Sequence, residues 1–297
     1  MSFTDKRVKL NEALDDIKTG ATIAIGGFSL NNSPMALIRE LIRQNITDLT
    51  IIGPLPLGLQ IDLLVGAGLV KKVICPAVSI NGLPAPCFIR ACNEGTVEVV
   101  PCDTGYTAYG LRAAAEHLPF HPYPLNVLDS GGSDLPSINT DYQTVYDPFH
   151  KVDVIIVPPL KPDVALLHIQ AADVTGNCIH SGSKAADELL AESTWGGQTI
   201  ITVDEIVPNQ WLRQYPGSTS IPKHFIHKIV DIHFPAHPCA SHSKYRVDEK
   251  HFHYYLQKAQ TKEGFQEYLD HMVLKPKSHF GYLREAGGKE YLDGLKL

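Results

Sequence analysis

The chain has 297 residues, 44% of them hydrophobic and 20% charged, with a net charge of −6. That is the composition of an ordinary globular domain, and a mildly acidic chain without a basic block is not built to hold nucleic acid by its phosphates or to lie on an anionic membrane. No apolar h-region follows Met1 to Arg7, and the longest apolar runs, such as Val152 to Leu160 with its two prolines, are far too short to span a bilayer, so a cytoplasmic location is expected.

A recurring beat runs along the chain: a short β-branched run, a break of Gly, Pro or Asn, then an amphipathic helix. Val8 to Lys18 predicts a first helix, with Leu10, Ala13, Leu14 and Ile17 on one face. Gly20 ends it, and Ala21 to Gly27 reads as a buried strand. Asn31-Asn32-Ser33-Pro34 reads as an N-cap followed by Pro at the first helical position, opening a helix over Met35 to Gln44. Strands are expected at Leu49 to Ile52, Lys72 to Cys75 and Val97 to Val100, followed by helices at Leu57 to Gly66, Pro86 to Asn93 and Tyr106 to His117 respectively. Pro119 to Phe149 breaks the rhythm and reads as a long irregular excursion, of the kind that is functional or an interface element. Further strands are expected at Val152 to Val157, Val164 to Ile169, Thr199 to Val203 and Ile226 to Ile232. A charged helical tail starts at Asp248, its apolar stripe (Phe252, Tyr255, Leu256, then Phe265, Tyr268, Leu269, Met272) packing on the body or on a partner subunit. Strands alternating with helices predict one α/β domain over 1–297, with a mainly parallel open sheet covered by helices on both faces.

Six cysteines without a C-x-x-C pair read as reduced thiols packed as small apolar residues. His251-Phe252-His253 invites comparison with a metal site, but H-x-H side chains point apart on a helix and no further ligand stands at suitable spacing, so no metal is expected.

The sharpest chemical feature is Ile23-Ala24-Ile25-Gly26-Gly27-Phe28-Ser29-Leu30-Asn31-Asn32-Ser33-Pro34. A buried strand runs into a glycine pair and then a helix start. Glycines permit φ > 0 and close approach of a ligand to bare N–H groups. The carboxyl end of a parallel strand is also where open α/β sheets bind ligands. The same residues serve equally as a packing turn. The pattern is not G-x-G-x-x-G and lacks the lysine of a P-loop, which disfavours dinucleotide and nucleoside triphosphate chemistry. Neutral donors suit a carboxylate or a thioester carbonyl, where negative charge develops during acyl transfer.

This segment resembles the α-subunit signature of class I CoA-transferases, strand-G-G-F-x-x-x-G-x-P. It departs at Asn32, where the broad signature has glycine, and with Pro34 to Leu41 behind it is similar to the glutaconate CoA-transferase branch. Asp147-Pro148-Phe149, Pro162 to Asn177, Leu111 to Ala115 with Leu118-Pro119-Phe120, and Ala236-His237-Pro238 follow that branch in order, so the likeness runs from about residue 8 to residue 274.

The resemblance implies a heteromeric acyl-CoA:carboxylate CoA-transferase of αβ or α2β2 composition. A CoA thioester is its substrate and no cofactor is tightly bound. The glutamate nucleophile and most CoA contacts come from a β-type partner, while this chain's G-G-F loop helps to form the acyl pocket. Gly26, Gly27, Phe28, Asn31 and Asn32 are then the candidate substrate-binding residues.

Asn93-Glu94-Gly95 echoes the β-type glutamate motif, but reads as an exposed helix end stopped by Gly95. Asp103, just past a strand, reads either as an acid/base group or, more readily, as the N-cap of the next helix. Cys102 has no neighbouring cation in sequence to activate it. His168 and Asp173 read as residues that fix a strand end and its turn. Two other reactions fit the same fold, a steroid ring-opening CoA-thioester hydrolase and a glutaconyl-CoA-type decarboxylase. A non-catalytic metabolite sensor is the reading from another class.

Overall fold

The computed structural model describes residues 4–123, 134–182 and 186–297. A short helix α1 (Leu10–Ala13) precedes β1 (Thr22–Ile25), and strand and helix then alternate through α2 (Met35–Gln44), β2 (Leu49–Ile52), α3 (Leu59–Gly66) and β3 (Val70–Ile74). A small hairpin, β4 (Ser79–Ile80) and β5 (Leu83–Pro84), leads to α4 (Pro86–Glu94), β6 (Glu98–Val99) and α5 (Thr104–Ala115). Next come β7 (His121–Pro122), α6 (Leu135–Ile138), β8 (Gln143–Asp147) and β9 (Val152–Val157). The second half holds β10 (Val164–Ala172), β11 (Cys178–Ile179), α7 (Asp187–Ser193), β12 (Gln198–Ile206), α8 (Asn209–Gln214) and β13 (Lys228–Asp231). Helices α9 (Glu249–Ala259), α10 (Lys262–Leu269), α11 (His279–Glu285) and α12 (Gly288–Asp293) follow.

The central sheet has the order β13-β12-β10-β1-β2-β3-β6, every neighbouring pair parallel, with β11 antiparallel on the end of β10. The chain enters at β1 and winds outward to β6, then returns beside β1 as β10 and winds outward the other way to β13. The sheet therefore changes winding direction between β1 and β10. A crevice outside the carboxyl ends of two such strands is the usual ligand site of an open α/β sheet.

Strand alternation sends successive side chains to two cores. Ile23, Ile25, Ile51, Val73 and Leu166 pack with α1, α2, α3 and the C-terminal helices. Ala24, Ile52, Ala165, Leu167 and Ile169 pack with Tyr106 and Leu111 of α5 and Leu190 of α7. All nine residues of β10 are buried, as expected of a central parallel strand covered on both faces.

Three expectations change. The first helix shrinks to α1 because the chain before it runs along β13, with Val8 donating to the Ile229 carbonyl and Ile229 to that of Lys6. Val152–Val157 does not join the central sheet; it is the middle strand of a three-stranded antiparallel sheet, β7-β9-β8. The cause is the turn at Pro148–Lys151, where Asp147 accepts from the backbone N–H groups of Phe149 and Lys151 and folds β9 back onto β8. The excursion at 119–149 thus carries regular structure at both ends; its residues 124–133 lie outside the described residues.

The C-terminal stripe packs on the body of this chain, over α2 and α3: the Phe265 ring lies where a Cβ on Gly66 would stand, 2.5 Å away. Beneath the tail lies Arg39, fully buried, its guanidinium 3.5 Å from the Tyr282 ring centroid and donating to the His237 carbonyl. Around it His237 meets Tyr282 and Asp248, His251 meets Tyr268, and His279 meets the His233 carbonyl. His251 points inward and His253 outward, as the H-x-H spacing predicts. His251 also lies near His237 and Asp248 in a cluster of metal-ligating side chains, but both His237 nitrogens and Nε2 of His251 already have protein partners and a guanidinium adjoins them, which makes the cluster a hydrogen-bonded network.

Burial first, and the Arg39 charge with it, holds His237, His251 and His279 below their ordinary value of 6.5. Neutral in the fold, these imidazoles take up protons on unfolding. Their contribution to stability is complete above pH 6.5 and is lost as pH falls from there toward their depressed folded values. Urea unfolding at pH 7.5, 6.5 and 5.5 should therefore show stability falling between pH 6.5 and 5.5, by about 1 kcal/mol for each histidine involved. A midpoint flat across that range would contradict this account.

Candidate active site

The glycine pair follows β1 directly and occupies the winding reversal beside β10. Three residues there have positive φ: Gly27 at 88°, Ser29 at 54° and Asn32 at 53°. Phe28 and Asn31 exchange backbone hydrogen bonds of 3.0 and 2.9 Å, closing a tight turn. Asn32 N–H donates to the Ala240 carbonyl and Ala240 N–H to that of Leu30, which staples the turn to the segment after β13.

The amides expected to stand bare have partners inside the chain. Gly26 N–H donates to the Leu166 carbonyl, Gly27 N–H to Oδ1 of Asp187 at 3.0 Å, and Phe28 N–H to the Asn31 carbonyl. The turn directs these donors inward, so what it presents outward is shape and partly exposed side chains from Phe28 to Asn31. Asn32 is fully buried. Its Oδ1 accepts from Gln170 Nε2 at 2.8 Å and from His242 N–H at 3.1 Å, while its Nδ2 donates to the Ser181 carbonyl at 3.2 Å. This explains the departure from glycine: asparagine tolerates the left-handed conformation and adds an amide that glycine lacks.

The contacts continue into a closed circuit. Gln170 Oε1 accepts from Ser181 N–H and faces His180 Nδ1 at 3.0 Å; His180 Nε2 lies 2.7 Å from Asp187 Oδ2; and Asp187 Oδ1 returns to Gly27. Gln170, His180 and Asp187 are all buried. Sequence reasoning missed them as functional residues, although β10 carries a signal: His168 and Gln170 alternate within an otherwise apolar strand, on the face of Leu166. His168 bonds Thr202 and Ser241, and Ser241 Oγ in turn donates to Asp204.

Asp103 caps α5. Its Oδ1 accepts from Tyr106 N–H at 2.8 Å, Tyr123 OH at 2.6 Å and Tyr142 OH at 3.1 Å. Burial, and then the carboxylate itself, pushes the Tyr123 phenol upward. Asp103 and the glycine turn border one loop, since Thr107 Oγ1 of α5 donates to the Pro54 carbonyl and Ser29 N–H to that of Pro56. Cys102 beside it is held as a thiol, pushed up to about 12 by burial and the nearby Cys75 and Asp103. Asp173 braces a turn; burial alone would raise its carboxyl, but donors from Asn177 and Thr175 outweigh that and hold it below the ordinary value. Glu94 is exposed at the end of α4, stopped by Gly95 at φ 67°. A helix joining parallel strands runs back against them, so Glu94 lies at the sheet edge opposite the turn. A groove between α11 and α12, lined by Phe234, Phe280 and Leu292, has no residue of the turn in its lining.

The packing predicts the effect of one methyl group. A Cβ on Gly26 would lie 2.6 Å from both Asp187 Oδ1 and Leu167 Cδ2. Gly26→Ala should cost about 1–3 kcal/mol of stability in urea unfolding, and a wild-type midpoint would show that the Asp187 contact is loose.

Residues 7–231 match the coenzyme A transferase family. The chain is 32% identical, over 99% of its length, to an uncharacterized protein of Archaeoglobus fulgidus, and spans 65% of that protein. It is 30% identical to the cholesterol ring-cleaving hydrolase IpdA subunit of Rhodococcus jostii, covering 91% of this chain and 92% of the relative. It is also 30% identical to the α-type subunit of glutaconate CoA-transferase from Acidaminococcus fermentans, over 93% of this chain and 90% of that one. The solved glutaconate CoA-transferase structure from the same organism superposes with a TM-score of 0.88 at 28% identity, covering 98% of this chain and 96% of its own. The chain belongs to the coenzyme A transferase family, as an α-type member of its class I branch.

Proposed function

We propose that this chain is the α-type component of a heteromeric acyl-CoA:carboxylate CoA-transferase. In this reading Gly26, Gly27, Phe28, Asn31 and Asn32 shape the acyl pocket and a glutamate of a β-type partner is the nucleophile. The observation that carries it is the position of the tight turn at the winding reversal of the sheet, where the carboxylate that touches the turn is not free to attack a substrate. Asp187 touches the turn, but it is fully buried and bonded through both oxygens. Glu94, the residue that echoes the β-type motif, belongs to the opposite edge.

The chemistry then divides between two chains. The partner's carboxylate attacks the thioester carbonyl; a C–O bond forms, the C–S bond breaks and CoA leaves as thiolate. The thiolate attacks the glutamyl carbonyl of the resulting anhydride, releasing the acyl group as a carboxylate and leaving a glutamyl-CoA thioester. An incoming carboxylate reverses these steps. Splitting one exchange in this way replaces a hard step with easier ones. This chain's share is to hold the acyl group against the turn while the partner's carboxylate approaches, and orientation of this kind accounts for several kcal/mol of a barrier of this type.

A second reading, CoA-thioester hydrolysis, is favoured by one feature of this chain together with the likeness to the ring-cleaving hydrolase. Asp103 is pinned by two tyrosine hydroxyls and a backbone amide, beside the loop at Pro54–Pro56 that the turn also borders. That clamp suits a carboxylate that must orient a water or a substrate polar group.

The test is to assemble the chain with its β-type partner, incubate with an acyl-CoA in the absence of acceptor, and locate the CoA adduct by mass spectrometry. The transferase reading expects the adduct on a glutamate of the partner and none on this chain. Free CoA accumulating without an adduct, and lost about a hundredfold in Asp103→Asn, would favour hydrolysis instead. Turnover by this chain alone would overturn the divided site.

A further inference from the structure

The circuit that joins Gly27 to Asn32 has a direction that its proton placement reveals. Gln170 Oε1 accepts from the Ser181 backbone N–H, which identifies it as the carbonyl oxygen of the amide. His180 Nδ1, 3.0 Å from that oxygen, is therefore the donor of the pair. On the other side of the ring Nε2 stands 2.7 Å from Asp187 Oδ2, too close for two lone pairs to face each other, so a second proton lies on that line. Asp187 is left with Oδ1 as an acceptor, and Gly27 N–H fills it. A backbone N–H bonded to a carboxylate is held more firmly than one bonded to a neutral oxygen, and here both partners are buried.

From this arrangement we infer that Asp187 and His180 are positioning residues for the acyl-binding turn, an inference that rests on the transferase reading of that turn. Asp187 draws Gly27 N–H inward. Because the peptide is planar and trans, the Gly26 carbonyl is turned the opposite way, and the path of Phe28 to Asn31 is set from its first residue. Asn32 anchors the far end of the same turn through Gln170 to the same imidazole. The two ends, five residues apart, are thus registered against one ring, while between them Ser29 N–H donates to the Pro56 carbonyl and the Leu30 carbonyl accepts from Ala240 N–H. Neither residue touches the acyl group; each acts through the backbone that does.

The role separates from plain packing by what restores it. Asparagine at 187 still offers Oδ1 to Gly27, and its NH2 can donate to a His180 Nε2 that has no proton, whereas alanine leaves Gly27 N–H and His180 Nε2 without partners. In the enzyme assembled with its β-type partner, Asp187→Ala should lower kcat about a hundredfold, the scale expected of a misplaced reacting group, with KM for the acyl-CoA within about threefold of wild type. Asp187→Asn should recover at least about tenfold of that loss. Hydrogen exchange at the Gly27 amide of this chain should accelerate in Asp187→Ala and stay slow in Asp187→Asn.

If Asp187→Ala does not assemble, Asn32→Gly, which opens the circuit at its other end and leaves Asp187 in place, should lower kcat about tenfold. A wild-type kcat in Asp187→Ala, or equal losses in the Ala and Asn variants, would overturn the inference; so would an unchanged kcat in Asn32→Gly. Should the wild-type assembly transfer no CoA at all, the transferase reading fails, and the Gly27 exchange rates alone then decide the positioning claim.

Discussion

The hydrogen bond from Gly27 to Asp187 is the contact on which the rest of the site depends. It brings together residues 160 apart in sequence and links the end of β1 to the first residue of α7. Through His180 and Gln170 it reaches Asn32, so the turn after β1 is held at both ends by one buried polar circuit. Buried groups of this kind are costly when unpaired and rigid when fully bonded. Here Gly27 N–H, the Asp187 carboxylate, both His180 ring nitrogens and the Gln170 amide all have partners. The glycines follow from the same constraint: at Gly26 a side chain would strike Asp187, and at Gly27 the backbone needs φ of 88°.

The sheet supplies the place and the circuit supplies the shape. Winding outward from β1 on one side and from β10 on the other leaves the turn at the reversal, the usual place of a ligand in an open α/β sheet. The C-terminal helices contribute differently: they bury Arg39 and its histidines against α2, the helix that the turn leads into. That packing fixes the helix while the circuit fixes the turn before it.

Much of this was legible in the sequence because it is local. The strand–helix alternation, the glycine pair, the C-cap at Gly95 and the N-cap at Asp103 each rest on a few adjacent residues and on periodicities of 2 and 3.6. The likeness carried by Gly26-Gly27-Phe28 led to the family. What could not be read is non-local. Val152–Val157 has the composition of a core strand, and only the return at Asp147 puts it in a separate antiparallel sheet. Asp187 and His180 look like ordinary polar residues in a loop and a helix start until folding sets them under Gly27. The supposition of bare glycine amides failed for the same reason, since the acceptor that fills Gly27 N–H arrives from far along the chain. Asn32 was noticed as a departure, but its use as a two-sided amide depends on Gln170, His242 and Ser181, which the sequence does not place beside it.

The central claim is that the turn from Gly27 to Asn32 is the surface against which the acyl group rests. A crystal structure of the chain assembled with its β-type partner and a non-reactive acyl-CoA thioether tests it most directly. The account predicts the acyl carbons in van der Waals contact with Phe28 to Asn31, with the Gly27–Asp187 hydrogen bond intact. An acyl group seated elsewhere, for instance in the groove between α11 and α12, would contradict it.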